Sequence, residues 1–225
     1  MQVHSHILEA KREQRKLFSL LIDPDKIGGS ELERLAVQAQ QSQVDLLFVG
    51  GSLLVNNTLF DCVQIIKANC DIPVVLFPGD NMQVVPNADA ILLLSVISGR
   101  NAEMLIGKHV VAAPRLKNSG LEIIPTGYML IDSGRPTTAS YMSKNSPIQH
   151  DKDDIAASTA MAGEMLGQRI ILIDGGSGAQ NSVSESMIKR VAQHIDLPII
   201  VGGGIRSADV ARSKFDAGAD VVVVG

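Results

Sequence analysis

Aromatic residues are scarce in this chain: 3% of its 225 positions, with two tyrosines, five phenylalanines and no tryptophan. A core built from it must be aliphatic, and a hydrophobic fraction of 45% supplies the material. Cysteine is almost as rare. Cys62 and Cys70 fit no metal spacing and give no disulfide framework, so they read as reduced thiols of a cytosolic protein. No apolar run reaches membrane-spanning length and residues 1–16 carry no signal-peptide core, so a soluble, cytoplasmic chain is expected. Positive charge is not in excess. The formal net charge is −4, which argues against nucleic acid as the main partner. An anionic ligand must then be held by local features rather than by the overall field. The five histidines (His4, His6, His109, His150, His194) show no zinc spacing, and none sits at a predicted strand end, so they read as surface or structural residues. No Ser-His-Asp set and no P-loop lysine motif appears, and Gly202-Gly203-Gly204 comes too late for a dinucleotide fingerprint.

What the chain does have is a series of short apolar strands that end in glycine. Ile170-Ile171-Leu172-Ile173 runs into Asp174-Gly175-Gly176-Ser177-Gly178. Pro198-Ile199-Ile200-Val201 runs into Gly202-Gly203-Gly204, and Val221-Val222-Val223-Val224 into Gly225. Such runs, mostly β-branched and without alternation, fit parallel strands buried on both faces. Glycines placed directly after them let backbone N–H groups approach an anion, and Ser207 reads as the N-cap of a helix whose positive end adds to that site. One such turn would be only a tight loop. Three successive strand ends, late in an α/β chain, point to the phosphate grip of a (β/α)8 barrel.

Taken in order, the chain offers eight strand candidates, and 225 residues suit one barrel domain over 1–225. A polar helix is predicted over residues 5–16, then a strand over 17–22 that ends in Asp23-Pro24-Asp25-Lys26. Ser30 and Glu33 read as a capping box before a buried stripe of Leu32, Leu35, Ala36 and Ala39. A strand over 46–49 ends in Gly50-Gly51-Ser52, a helix follows over 58–68, and a third strand over 74–77. Residues 78–90 leave too little room for a crossover helix, and Pro86 would break one, so an irregular segment is expected there. A fourth strand over 91–94 precedes a helix over 101–106, an extended Val110-Val111-Ala112-Ala113 and a fifth strand over 127–131. Residues 135–150 form the longest irregular stretch, either a substrate loop or a solvated insertion. Asp151 or Asp153 is the expected cap of the next helix, and Ser182 with Glu185 a second capping box. The final helix of a regular barrel is absent from the sequence, which stops at Gly225.

Residues just past the carboxyl ends of barrel strands share one rim. Asp23 and Ser52 follow neighbouring strands there, and one carboxylate with one hydroxyl makes a reasonable seat for Mg²⁺ with a diphosphate. Asp23-Pro24-Asp25 also reads as an ordinary turn, and both readings stand at this point. Asp174, between an apolar strand and the phosphate glycines, could accept hydrogen bonds from a polyol hydroxyl or take its proton. A structural bond to loop backbone is the alternative.

Several dispersed segments together resemble the geranylgeranylglyceryl phosphate synthase family, which includes bacterial heptaprenylglyceryl phosphate synthases. They are Leu21-Ile22-Asp23-Pro24-Asp25-Lys26, Gly50-Gly51-Ser52, Pro125-Thr126-Gly127-Tyr128, Gly176-Ser177-Gly178-Ala179, Val201-Gly202-Gly203-Gly204-Ile205-Arg206 and Val223-Val224-Gly225. Ala113-Pro114-Arg115-Leu116-Lys117 and Ala162-Gly163-Glu164-Met165-Leu166-Gly167 are similar to its archaeal-like branch. The resemblance implies a modified TIM barrel without a proper third helix and a homo-oligomeric prenyltransferase. That enzyme joins sn-glycerol 1-phosphate to a long prenyl diphosphate, geranylgeranyl in the first instance, with Mg²⁺ as cofactor and peripheral contact with a membrane. It implies Asp23 and Ser52 as metal ligands. Glycerol phosphate would be held by Leu172, Ile173, Asp174, Gly175, Gly176, Ser177 and Gly178 with Gly203, Gly204 and Gly225, Asp174 being the catalytic carboxylate. The family usually has Tyr-Leu-Glu where this chain has Leu172-Ile173-Asp174, which shortens the carboxylate by one methylene and removes a hydroxyl. A phosphate-binding barrel without catalysis, or a barrel enzyme acting on another phosphate, is the competing reading.

Overall fold

A computed structural model describes residues 2–225. Eight parallel strands close into a barrel in sequence order: β1 (Leu17–Ile22), β2 (Leu46–Val49), β3 (Val74–Leu76), β4 (Ala90–Val96), β5 (Glu122–Leu130), β6 (Ile170–Asp174), β7 (Ile199–Gly202) and β8 (Val221–Val224). β8 pairs back onto β1, Leu17 opposite Val221, which leaves the sheet no edge. Seven helices follow the α1 helix (Val3–Arg12): α2 (Gly29–Gln41), α3 (Leu59–Asn69), α4 (Lys108–Lys117), α5 (Thr138–Ser143), α6 (Asp153–Met165), α7 (Glu185–Ala192) and α8 (Ala208–Ala217). No helix joins β3 to β4, as Pro86 and the short spacing predict, and the barrel is of the modified kind expected.

The strand pleat sorts side chains into two layers. Leu92, Ile124, Leu172, Ile200 and Val221 point into the barrel. Ile171, Ile173 and Val201 point outwards under α6 and α7 with Ala156, Ala160, Met187 and Ile188. Small Ala156 and Ala160 let α6 lie close to the strands, while Ala162 of the same helix is exposed.

Helix α1 plugs the amino-terminal end of the barrel. Val3, Ile7 and Ala10 join the inner core, and the Glu122 carboxylate at the start of β5 accepts the N–H groups of Val3 and His4. A carboxylate at a helix start satisfies open donors and complements the dipole. The same end carries a repeated device. Asp45, Asp89 and Asp220, one residue ahead of β2, β4 and β8, accept the N–H of Phe18, Val74 and Ile199 on the neighbouring strand at 2.8, 2.8 and 2.9 Å. Each aspartate returns its own N–H to the carbonyl of that same residue.

Five local expectations are corrected. Helix α2 starts at Gly29, so Ser30 lies inside its first turn and no capping box with Glu33 forms; Gly28 is the N-cap. Val110-Val111-Ala112-Ala113 is helical, preceded by a π-helical turn over Glu103–Gly107. Burial of Ala112 and Leu116 one turn apart overrides the β preference of the valines, which stay exposed. Residues 135–150 are not irregular throughout: Thr137 and Ser140 form a capping box that starts α5, and Ile148 returns to pair with Ile131. Lys152 occupies the N-cap position of α6 without a side-chain capping bond, and Asp153 and Asp154 lie in the first turn rather than at its end. Ser184, not Ser182, caps α7 by accepting from Met187 N, and Glu185 turns instead to Lys214.

Candidate active site

At the carboxyl end of the barrel a cavity of about 710 Å³ opens among the strand ends. That is the size of a site for a small ligand and part of a chain. Its polar side is made by the loops after β6 and β7 and by the end of β8. Gly176, Ser177, Gly178, Gly203, Gly204 and Gly225 all line it, as do Leu172 and Asp174. Ile173 does not, because its side chain belongs to the outer layer, and Gly175 contributes a backbone bond to Gly202 O rather than lining. The glycine turns have positive φ at Gly176 (84°) and Gly203 (81°), conformations that aim amide groups where a side-chain-bearing residue would not. Ser207 caps α8 behind them, accepting from Val210 N at 3.3 Å, as the sequence suggests. Two arginines brace the β6 loop from outside: Arg135 donates to Gly178 O, and Arg206 to Ala179 O and Gln180 O. Arg135 was not singled out in the sequence and Arg206 only as the end of a motif, because nothing local marks a guanidinium that grips a distant carbonyl.

Asp174 sits on the cavity wall, only 8% exposed. Its Oδ1 accepts from Gly176 N at 2.8 Å and its Oδ2 from the Tyr128 hydroxyl at 2.7 Å. Burial pushes the Asp174 carboxyl above its ordinary range, while those two donors pull the other way. The Tyr128 phenol is pushed well up, by burial first and by the neighbouring carboxylate second. Asp174 thus makes the structural bond to its own loop and also lines the cavity.

Asp23, Lys26, Gly51 and Ser52 line another part of the rim. Asp23 Oδ2 lies 2.9 Å from Lys26 Nζ, and Oδ1 accepts from Asp25 N at 3.1 Å. Asp25 is spent elsewhere: it accepts from Val55 N at 2.6 Å and Asn56 N at 3.2 Å, which holds its carboxyl below the usual range. Asp23 makes the turn, its Oδ1 accepting from Asp25 N and its carbonyl from Lys26 N, and the same residue lines the cavity, while Asp25 ties the turn to residues 55–56. Among the described residues no three His, Cys, Asp or Glu side chains converge on a metal seat. The donor set at Asp23 and Ser52 is oxygen only and incomplete, which fits a hard cation that completes its shell with water and phosphate oxygens.

Away from the glycines the cavity turns apolar. Leu21, Phe77 and Leu94 line its inner part, and Val84, Ile91, Leu93, Ala112 and Leu116 continue it over β3 and β4, where the missing helix leaves space. Ala139 and Met142 of α5 cover one side. An ion pair of Lys108 with Asp80 (2.7 Å) and the ring of His109 lie on the wall. His109 is structural in the sense expected, its nitrogens facing Leu94 O at 2.8 Å and Leu105 O at 3.1 Å.

The PcrB family profile matches residues 9–225. The chain belongs to the PcrB family. Members similar to it include the geranylgeranylglyceryl phosphate synthase of Chitinophaga pinensis, 54% identical over 224 residues, covering 100% of this chain and 89% of that one. The archaeal enzyme of the same name from Pyrococcus furiosus is 38% identical over 219 residues, covering 97% and 86%. Among solved structures, (S)-3-O-geranylgeranylglyceryl phosphate synthase from Thermoplasma acidophilum superposes with a TM-score of 0.95 at 34% identity. It was crystallised with its substrate sn-glycerol-1-phosphate, and the match covers 100% of this chain and 90% of that one. The PcrB assignment bears out the resemblance read from the dispersed motifs, archaeal relatives included.

Proposed function

We propose that this PcrB-family protein is a prenyltransferase that forms an ether between sn-glycerol 1-phosphate and a long-chain prenyl diphosphate, geranylgeranyl diphosphate foremost, with release of diphosphate. The observation that carries the reading is the continuity of one cavity, from a glycine cradle suited to a phosphate to an apolar groove suited to an isoprenoid tail. In this reading the cradle holds the glycerol phosphate and Asp174 accepts the proton of the attacking hydroxyl. The new bond forms between that oxygen and prenyl C1, while the C1–O bond to diphosphate breaks and its electron pair leaves with the diphosphate. A carboxyl held above its ordinary range by burial is better suited to take a proton than an exposed one. Asp23 and Ser52 would hold Mg²⁺ together with the diphosphate, with Lys26 released from Asp23. When bound, the metal supplies positive charge against the charge building on the leaving group. Self-association is part of the proposal, Ile106, Val110, Val111, Met165 and Leu166 being exposed apolar side chains that a second copy could cover.

The test is a transfer assay with labelled sn-glycerol 1-phosphate, a panel of prenyl diphosphates and Mg²⁺, with Asp23→Ala alongside. Extractable prenylglyceryl phosphate that disappears in the variant is expected. Measurable glycerol phosphate binding with no product from any donor would sink the transferase reading and leave a binding barrel.

A further inference from the structure

Leu172 leaves this chain without a hydroxyl at the point on β6 where the resemblance leads one to look for one, yet a phenol occupies the site. Of the two tyrosines, Tyr141 is 81% exposed, on α5, while Tyr128 is 6% exposed inside the barrel. The register of β5 and β6 sets Tyr128 opposite Leu172 and Leu130 opposite Asp174. Tyr128 therefore starts one pleat below the carboxylate, on the neighbouring strand and the same inner face. Its ring packs beside Phe77, centroids 6.3 Å apart, and its hydroxyl reaches up to Asp174 Oδ2 at 2.7 Å.

We infer that Tyr128 is a positioning residue for the acceptor end of the site: its hydroxyl, with the Gly176 amide, fixes the Asp174 carboxylate toward a polyol phosphate in the glycine cradle. The inference rests on the transferase reading. Each carboxylate oxygen accepts one bond from the protein and keeps lone-pair capacity for a hydroxyl of the ligand. Without the phenol, one oxygen of a buried carboxylate loses its partner, and both its orientation and its ionised form lose support. The groups facing Asp174 are the Gly176 amide from its own loop, the Gly202 and Gly203 backbone from β7 and the Tyr128 phenol from β5. Tyr128 is the titratable one among them. The sign follows: the donor favours the charged carboxylate, so removing it moves the protonation of Asp174 to higher pH.

Tyr128→Phe keeps the ring against Phe77 and removes only the donor. Expected in the transfer assay is a fall in kcat/KM of about tenfold or more, as for a lost hydrogen bond to a charged group. The acid limb of the kcat/KM profile should move to higher pH. A second comparison isolates the route through Asp174: in an Asp174→Asn background, Tyr128→Phe should change kcat/KM by less than about twofold, since the charge it served is gone. An active wild type whose Tyr128→Phe variant keeps both its rate and its acid limb overturns the inference and leaves the transferase reading intact. Additive losses in the double variant overturn it as well, assigning Tyr128 to packing. A wild type that yields no ether product overturns the transferase reading, and this inference with it.

Discussion

Gly203 lies against Asp174 so closely that a Cβ at position 203 would stand 2.7 Å from Asp174 Oδ1, and equally near the Gly175 nitrogen. The cradle and the carboxylate are therefore one packed unit, and the glycine is required twice, by that contact and by its φ of 81°. Gly203→Ala is expected to cost roughly 1–2 kcal/mol for the left-handed backbone alone. The overlap should also lower glycerol phosphate affinity at least about tenfold. Calorimetric titration checks this; unchanged affinity would remove the β7 turn from the phosphate site.

The second rim is built the same way. A Cβ at Gly79 would come 2.4 Å from Gly51 O and 2.7 Å from Ser52 Cα, backbone atoms that cannot step aside as a flexible side chain can. Gly79→Ala should push the Ser52 loop away from Asp23 at a stability cost of about 1–3 kcal/mol. Its kinetic signature should be selective: kcat/KM for the prenyl donor down about tenfold, glycerol phosphate affinity within about twofold of wild type. Equal losses at both ends would show that the two rims are not separate.

These two glycines mark how far the sequence could be read. Strand after strand ending in Gly, with Pro86 in a gap too short for a helix, carried the barrel and the helix missing between β3 and β4, because burial on both faces writes itself as continuous apolar runs. The glycine turns that line the cavity were legible because three successive buried strands each run into glycine. Ser207 apart, the helix caps were not, since Ser184 and Ser182 differ only in where the helix happens to start, and Val110 and Val111 carry a β preference that Ala112 and Leu116 overrule by packing. Tyr128 was visible only as part of a motif. Its partnership with Asp174 spans 46 residues and depends on the register of β5 against β6, which no local pattern encodes.

The aspartates at the closed end should matter for stability and not for turnover. Asp220 accepts from Ile199 N, and Lys11 Nζ lies 3.0 Å away on the helix that plugs the barrel. Asp220→Ala leaves a buried N–H without its acceptor and the half-buried Lys11 ammonium with only the Leu197 carbonyl, for an expected loss of about 2–3 kcal/mol in urea unfolding. Asp45→Ala, which loses the Phe18 N–H bond and a long contact to Arg15, should cost less, about 1–2 kcal/mol. Equal costs would mean that the tie to α1 adds nothing.

Lys214 of α8 is buried, its side chain 3% exposed, and its ammonium lies 2.6 Å from Glu185 Oε1 on α7. The hydrogen bond from Lys214, helped by one from Ser213, pulls the Glu185 carboxyl from 4.5 down to about 2. A carboxyl whose folded value is depressed binds protons more readily in the unfolded chain. Its contribution is present above about pH 4.5 and fades as pH falls through the folded value near 2. Glu185 itself is 54% exposed, so solvent screens the pair, and Glu185→Gln is expected to cost only about 1 kcal/mol at neutral pH. The sharper reading is the slope: urea midpoints of the wild type should fall more steeply between pH 4.5 and 2 than those of Glu185→Gln, because the variant has no proton to take up there. Parallel slopes would mean that other carboxylates set the acid stability of the fold and that the α7–α8 pair only fills space.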